Sequence, residues 1–245
     1  MTGWLAKPSQ TVPKILQWAD QFPQLVRLRE QKTFSGQVAY AVTVTDSAAG
    51  GDKRGLLVAQ PHAHEPATTA GMMNFLCRLL TGAGLDGEPA DVDREGILRQ
   101  AVLTFIPDGN PYGRSRSPED WWDGTKYTND EFLKIAFGTA RDGERFARQG
   151  RWSLEDQQPA TVGIVYERIS ETEYVEPNRD RESTYFKLVA AALNERPCDR
   201  LLSLHQTEFE DSEHNAMIIL PFLQAELPGG KVAMRKLAPA AGDDK

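Results

Sequence analysis

The four histidines of this chain fall in two places. His62 and His64 lie in the run Pro61-His62-Ala63-His64-Glu65-Pro66, directly after the apolar stretch GLLVAQ at residues 55–60. His205 closes the stretch LLSL at residues 201–204, and His214 follows it. Imidazole nitrogen and carboxylate oxygen are donors that a catalytic zinc takes, two His and one acid being a recurrent set with a fourth position left for water. His62 and Glu65, three apart in a loop before a helix, can turn toward one point, and the helix N-terminus favours the acid's charge there. Without a metal, His62 and His64 are loop residues and Glu65 caps the helix. Cys77 sits too deep in an apolar helical pattern to be a ligand, and two distant cysteines, Cys77 and Cys198, form no disulfide framework.

The two histidine groups can meet only if the strands before them are neighbours. Residues 55–60 and 101–106 (AVLTFI) are continuous apolar runs of the kind found in doubly covered central strands. Residues 201–204 and 216–220 read as two further buried strands, and residues 38–45, alternating after a Ser35-Gly36 turn, as another. Residues 161–169 suit a strand. Helical spacing predicts helices over residues 11–31 (with Pro23 marking a break near the end), 66–80, 92–100, 130–137 and 181–195. Residues 107–150, rich in Gly, Pro, Asp and Arg, read as a long excursion, and residues 238–245 as a frayed tail. Strands alternating with helices imply one α/β domain over residues 1–245, its largely parallel mixed sheet covered on both faces. Sites in such sheets gather at the carboxyl ends of strands, where both histidine groups fall.

In their order these motifs resemble the zinc carboxypeptidases, the carboxypeptidase A and B group, over about residues 12–220. His62-Ala63-His64-Glu65-Pro66 looks like the His-x-x-Glu signature, and Leu202-Ser203-Leu204-His205-Gln206 like the later strand that ends in the third ligand. The resemblance implies one zinc per chain on His62, Glu65 and His205, with His64 behind the ligands or facing substrate. Glu176-Pro177-Asn178-Arg179-Asp180 resembles the family's Asn-Arg pair, so Asn178 and Arg179 would grip a substrate carboxylate, the guanidinium fork matching it bidentately. Pro107-Asp108-Gly109-Asn110-Pro111 loosely resembles an Asn-Pro-Asp-Gly stretch, after which Arg114 or Arg116 would steady an oxyanion. Trp121 and Trp122 either line a substrate pocket or pin the long loop to the core.

The implied activity is metal-assisted hydrolysis of an amide bond beside a free carboxylate, on a peptide or a small acylated amino acid. The departure from the family lies at the end. Its general-base Glu belongs to a strand well past the third ligand. Here Glu208, Glu210 and Glu213 follow His205 too closely and Glu226 stands in a Pro/Gly-rich stretch, so no base can be named. The expectation is a C-terminally short domain without the last strand and helix. It is a hydrolase, or alternatively an inactive domain that holds peptide ends; an α/β domain with chance histidines is the bland third reading. A net charge of −7, from 28 Lys and Arg against 35 Asp and Glu, argues against a nucleic-acid partner. No apolar run nears the roughly 18 residues a membrane span needs, and the start lacks a signal pattern, so a cytoplasmic location is expected. Oligomeric state and side-chain preference are not readable.

Overall fold

Pro8 suits the first position of a helix, where its missing N–H costs nothing. The computed structural model, which describes residues 3–122 and 125–206, begins there with α1 (Pro8–Gln21). The expected helix over 11–31 is corrected: it ends before Pro23, and β1 (Val26–Lys32) follows. The period switches from helical to two, so that Val26 turns inward while Arg27 and Arg29 turn out. The chain continues through β2 (Val38–Val44), β3 (Arg54–Ala59), α2 (Pro66–Thr81), α3 (Arg94–Gln100) and β4 (Ala101–Ile106).

The excursion then carries α4 (Pro111–Arg116), α5 (Asn129–Phe137), β5 (Gly138–Thr139), β6 (Arg151–Ser153), β7 (Thr161–Val162), β8 (Glu167–Arg168) and β9 (Glu173–Val175). After it come α6 (Thr184–Glu195) and β10 (Arg200–Ser203). The single strand expected over 161–169 is two short ones. Gly163 interrupts them because the chain passes against α5 there: a Cβ on it would lie 2.2 Å from the Phe137 carbonyl carbon. Strand 216–220, the tail and His214 lie outside the described residues.

The main sheet has the order β1-β2-β4-β3-β10. Its β1/β2 and β2/β4 pairs are antiparallel, and β4/β3 and β3/β10 parallel. Alternation divides the side chains between two faces. Val42, Val44, Val58, Leu103 and Phe105 pack with α1, α2 and α3 through Ile15, Trp18, Met73, Leu76 and Leu98. On the other face Ala39, Ala41, Leu57, Ala59 and Ile106 receive Tyr185 and Leu188 of α6. The fold is thus mixed α/β, with helices on both faces of a mixed sheet. One strand departs from expectation. β10 is exposed along its whole length, Leu201 at 46% and Leu202 at 47%, because it is the sheet's edge and no described element covers it. Both cysteines are free. Among the described residues no helix is long and apolar enough to cross a membrane.

Where β4 gives way to α4, Gly109 passes so close to β3 that a Cβ would meet the Gln60 carbonyl oxygen at 2.6 Å. Beside it Asp108 is buried, with Oδ1 accepting from the Asn110 N–H and Oδ2 unpartnered among the described residues. Burial pushes its carboxyl up to about 7, against the weaker opposing pull of Arg114 and the Asn110 N–H. An unfolded Asp titrates near ~3.9, so this contribution to stability is full below that pH and is lost as pH rises through about 7. Asp108→Asn keeps the acceptor and removes the titration. Its melting temperature should exceed the parent's at pH 8 by more than at pH 5; a gap that does not widen with pH would refute this account.

Candidate metal centre

Strands β3 and β10 run parallel in register, Ala59 opposite Ser203. His62 therefore leaves one strand and His205 the adjacent one at the same end of the sheet. Leu204 extends the ladder by donating its N–H to the Ala59 carbonyl at 2.8 Å. Between β3 and α2 the chain turns tightly, with Glu65 N–H donating to the His62 carbonyl at 3.1 Å. Gln60 Nε2 also donates to that carbonyl. Pro66 opens α2 and keeps Glu65, its N-cap, out of the helical conformation, and the helix dipole favours the charge of that carboxylate.

The two imidazoles meet on that carboxylate. His62 Nδ1 lies 3.0 Å from Glu65 Oε1, and His205 Nδ1 lies 3.1 Å from Oε2 and 3.2 Å from Oε1. The ring centroids of His62 and His205 are 4.9 Å apart. His64 stacks on His62 at 5.1 Å, and its Nε2 is 3.8 Å from Glu65 Oε1. Donor atoms of His62, His64 and Glu65 all lie within 4.8 Å of one another, and all three residues are buried. His64 also packs on Phe132 and Phe137, so it forms the inner wall of the cluster.

The far nitrogen of His62 meets a second acid. Its Nε2 is 3.3 Å from Glu176 Oε1 and 3.2 Å from Asn178 Oδ1. Glu176 is fully buried and carries two guanidinium groups, Arg148 on both oxygens and Arg179 Nε at 3.2 Å. The excursion delivers these residues: Arg148 precedes β6, Glu176 follows β9, and the two strands pair antiparallel. A cluster of Trp152, Tyr166, Tyr174 and Phe146 packs beneath them.

Burial alone would push the His62 imidazole down. Its hydrogen bonds to Glu176 and Glu65 together overcome that and hold it at about 9. Burial likewise raises both acids, but hydrogen bonds from His205 and His62 hold Glu65 at about 2, and those from His62 and Arg148 hold Glu176 at about 2. Two anionic carboxylates thus bracket a cationic ring. Imidazole nitrogens on a carboxylate suit a divalent cation in chemistry and in number, since three protein donors leave a position for water. A cation entering there would replace the ring proton.

The remaining candidates are placed differently. Asn178 and Arg179 are exposed at the mouth of the cluster, Asn178 bonded to His62 and Arg179 held by Glu176. Arg114 is 1% exposed and turned away into the protein. Nε donates to the Ala6 carbonyl, Nη1 to Ala63, and Nη2 to Glu119 and Asp120. Four of its donors are committed to backbone, so the expectation that it faces a reacting carbonyl gives way to a role in tying loops together. Arg114→Ala, leaving those buried carbonyls unpaired, should cost about 3 kcal/mol of stability in a denaturant titration without lowering metal content. Arg116 is exposed and donates to the Val162 carbonyl. Trp122 pins the long loop, donating its indole N–H to the His64 carbonyl at 2.8 Å, while Trp121 packs edge-on to Trp4. The sequence reading missed Arg148 and assigned no role to Glu176. The latter's place two residues before Asn178 was the available signal; nothing local singles out Arg148 among the Arg residues of the excursion.

No family model matches the chain, and no curated protein sequence matches it. Solved structures do. Thrombin activatable fibrinolysis inhibitor matches with a TM-score of 0.51 at 14% identity, over 82% of this chain and 47% of that one. Carboxypeptidase A from Helicoverpa armigera gives 0.48 at 13%, over 82% and 46% of the two chains. A metallo-carboxypeptidase from Burkholderia cenocepacia gives 0.46 at 16%, over 80% and 40%. The likeness concerns the fold alone, and the first of the three carries it. The chain spans less than half the length of each of these proteins.

Proposed function

We propose that the chain holds one zinc on His62, Glu65 and His205 and acts as a carboxypeptidase-type hydrolase on an amide bond beside a free carboxylate. The observation behind this reading is the meeting of two imidazole Nδ1 atoms on one buried carboxylate, from adjacent parallel strands. Zinc bound there would polarise the scissile carbonyl and lower its water's pKa toward about 7. The chain's own residues supply orientation and charge. Glu176 accepts the Nε2 proton of His62, which fixes the tautomer that leaves Nδ1 free to coordinate. Arg179 and the Asn178 amide stand at the mouth, where a guanidinium fork and a neutral donor can take the substrate's carboxylate. Arg148, reaching Glu176 from the other side, helps hold that carboxylate against His62.

A second reading has one observation in its favour. Both buried acids of the cluster are engaged, Glu65 with two imidazoles and Glu176 with His62 and two guanidiniums, so neither is available as general base. Glu208, Glu210, Glu213 and Glu226 lie outside the described residues. A domain with this site and no base would hold peptide ends without cutting them.

The zinc-loaded chain should be offered a peptide with a free C-terminus, its amidated twin and an N-acylated amino acid. Release of the terminal residue from the first is expected. Arg179→Ala should raise KM for it about tenfold, the worth of one charge-assisted pair, and leave the amidated peptide unchanged. Binding without release would favour the second reading, and neither binding nor release would remove both.

A further inference from the structure

Away from the histidines, the described residues cover only part of the sheet face that carries α6. Ala39, Ala41, Leu57, Ala59 and Ile106 lie under that helix, but beyond its last turn the same face opens into a cavity of about 410 Å³. Its floor is polar. Thr43 and Thr104, paired across β2 and β4, share a hydrogen bond of 2.9 Å, and Arg27 stands opposite Thr43 in the next strand. A mixed sheet covered on both faces ordinarily places aliphatic residues at such central positions. Hydroxyls and a guanidinium there mean that this part of the face is not shaped for an apolar element.

The rim is cationic. Arg27, Arg29, Lys53 and Arg196 line the cavity, and Glu195 is its one acid, paired with Arg29 at 2.7 Å. The others carry no carboxylate among the described residues. Lys53 Nζ donates to Thr45 Oγ1 and to the Asp46 and Leu98 carbonyls, and Arg196 Nη2 to the Lys53 carbonyl at 2.7 Å. These bonds fix the two side chains at the rim without neutralising them. Three uncompensated cations around a hydroxyl-lined hollow contrast with the chain's net charge of −7.

We propose that this groove binds a small phosphorylated molecule. Guanidinium forks and hydroxyls lining one groove, beside the charge of the Lys53 ammonium, match the several charged oxygens of a phosphate group. The volume falls within the range of small-molecule sites. The groove shares no residue with the histidine cluster, so the proposal stands apart from the hydrolase reading.

The test is a calorimetric titration of inorganic phosphate into the full chain at low salt. One phosphate per chain is expected, with affinity falling as NaCl is added. Arg27→Ala and Arg196→Ala, both at exposed positions, should each weaken it about tenfold, the worth of one charge-assisted hydrogen bond. Thr43→Val should weaken it too, while His205→Ala should leave it unchanged. Absence of saturable binding overturns the proposal, as does binding indifferent to both Arg variants. Loss in His205→Ala would move the phosphate to the histidine cluster and also overturn it.

Discussion

His205→Ala should bind essentially no zinc under conditions where the parent chain binds about one per molecule. Catalytic zinc takes three protein ligands, and removing one of three takes with it roughly a third of a binding free energy on the order of 10–16 kcal/mol. The expected loss is about a thousandfold in affinity, read by elemental analysis after dialysis and by competition with a chelator. The paired control is His64→Ala. His64 is buried against His62 with its Nε2 3.8 Å from Glu65, so it is the alternative third donor. If His64→Ala abolishes binding and His205→Ala spares it, the ligand set is His62, His64 and Glu65, and the proposed one is wrong.

Glu176→Ala should weaken zinc binding by about 10–100-fold, although Glu176 would not touch the metal. It fixes the His62 tautomer through Nε2 and anchors Arg148 and Arg179. The signature that separates this from general damage is pH dependence. In the metal-free chain the His62 contribution to stability is full below about 6.5 and is lost as pH rises through about 9. The contributions of Glu65 and Glu176 are present above about 4.5 and are lost as pH falls through about 2. Zinc entering at pH 7 must displace the His62 proton, so uptake should release about one proton per chain. With Glu176 gone, His62 loses one of its two carboxylate partners and titrates lower, and proton release at pH 7 should fall. Titration in buffers of differing ionisation enthalpy measures it; an unchanged release would show that Glu176 does not govern the ring.

What could be read in the sequence was whatever depends on short-range pattern. GLLVAQ and AVLTFI are mostly apolar because most of both faces of their strands is covered, Thr104 at the open groove being the exception. The Pro66 helix announced itself by a start signal and an apolar stripe. Both histidine groups stood at expected strand ends, but that their strands are neighbours follows only from the β3/β10 pairing. Leu25 and Val26 misled because they continue a helical spacing by chance past Pro23, and only pairing with β2 decides their conformation. Arg114 misled for a different reason. A charged residue among Ser and Pro has no local mark of burial, and two of its four carbonyl partners, Ala6 and Ala63, come from segments far away in sequence. Arg148 was invisible because its contact with Glu176 depends on the β6–β9 pairing, which brings together residues 28 apart.

The third imidazole rides on the least supported strand of the sheet. Among the described residues β10 is bonded on one side only, to β3, and its side chains lie open. Capture of a cation by His205 would therefore act as a clasp, fastening the free margin of the sheet to the loop ahead of α2. Deuterium uptake at the amides of Leu202 and Leu204 should slow when zinc is added, far more than at the amides of β4 in the interior. Occupancy and order of that margin would then be two readings of one equilibrium.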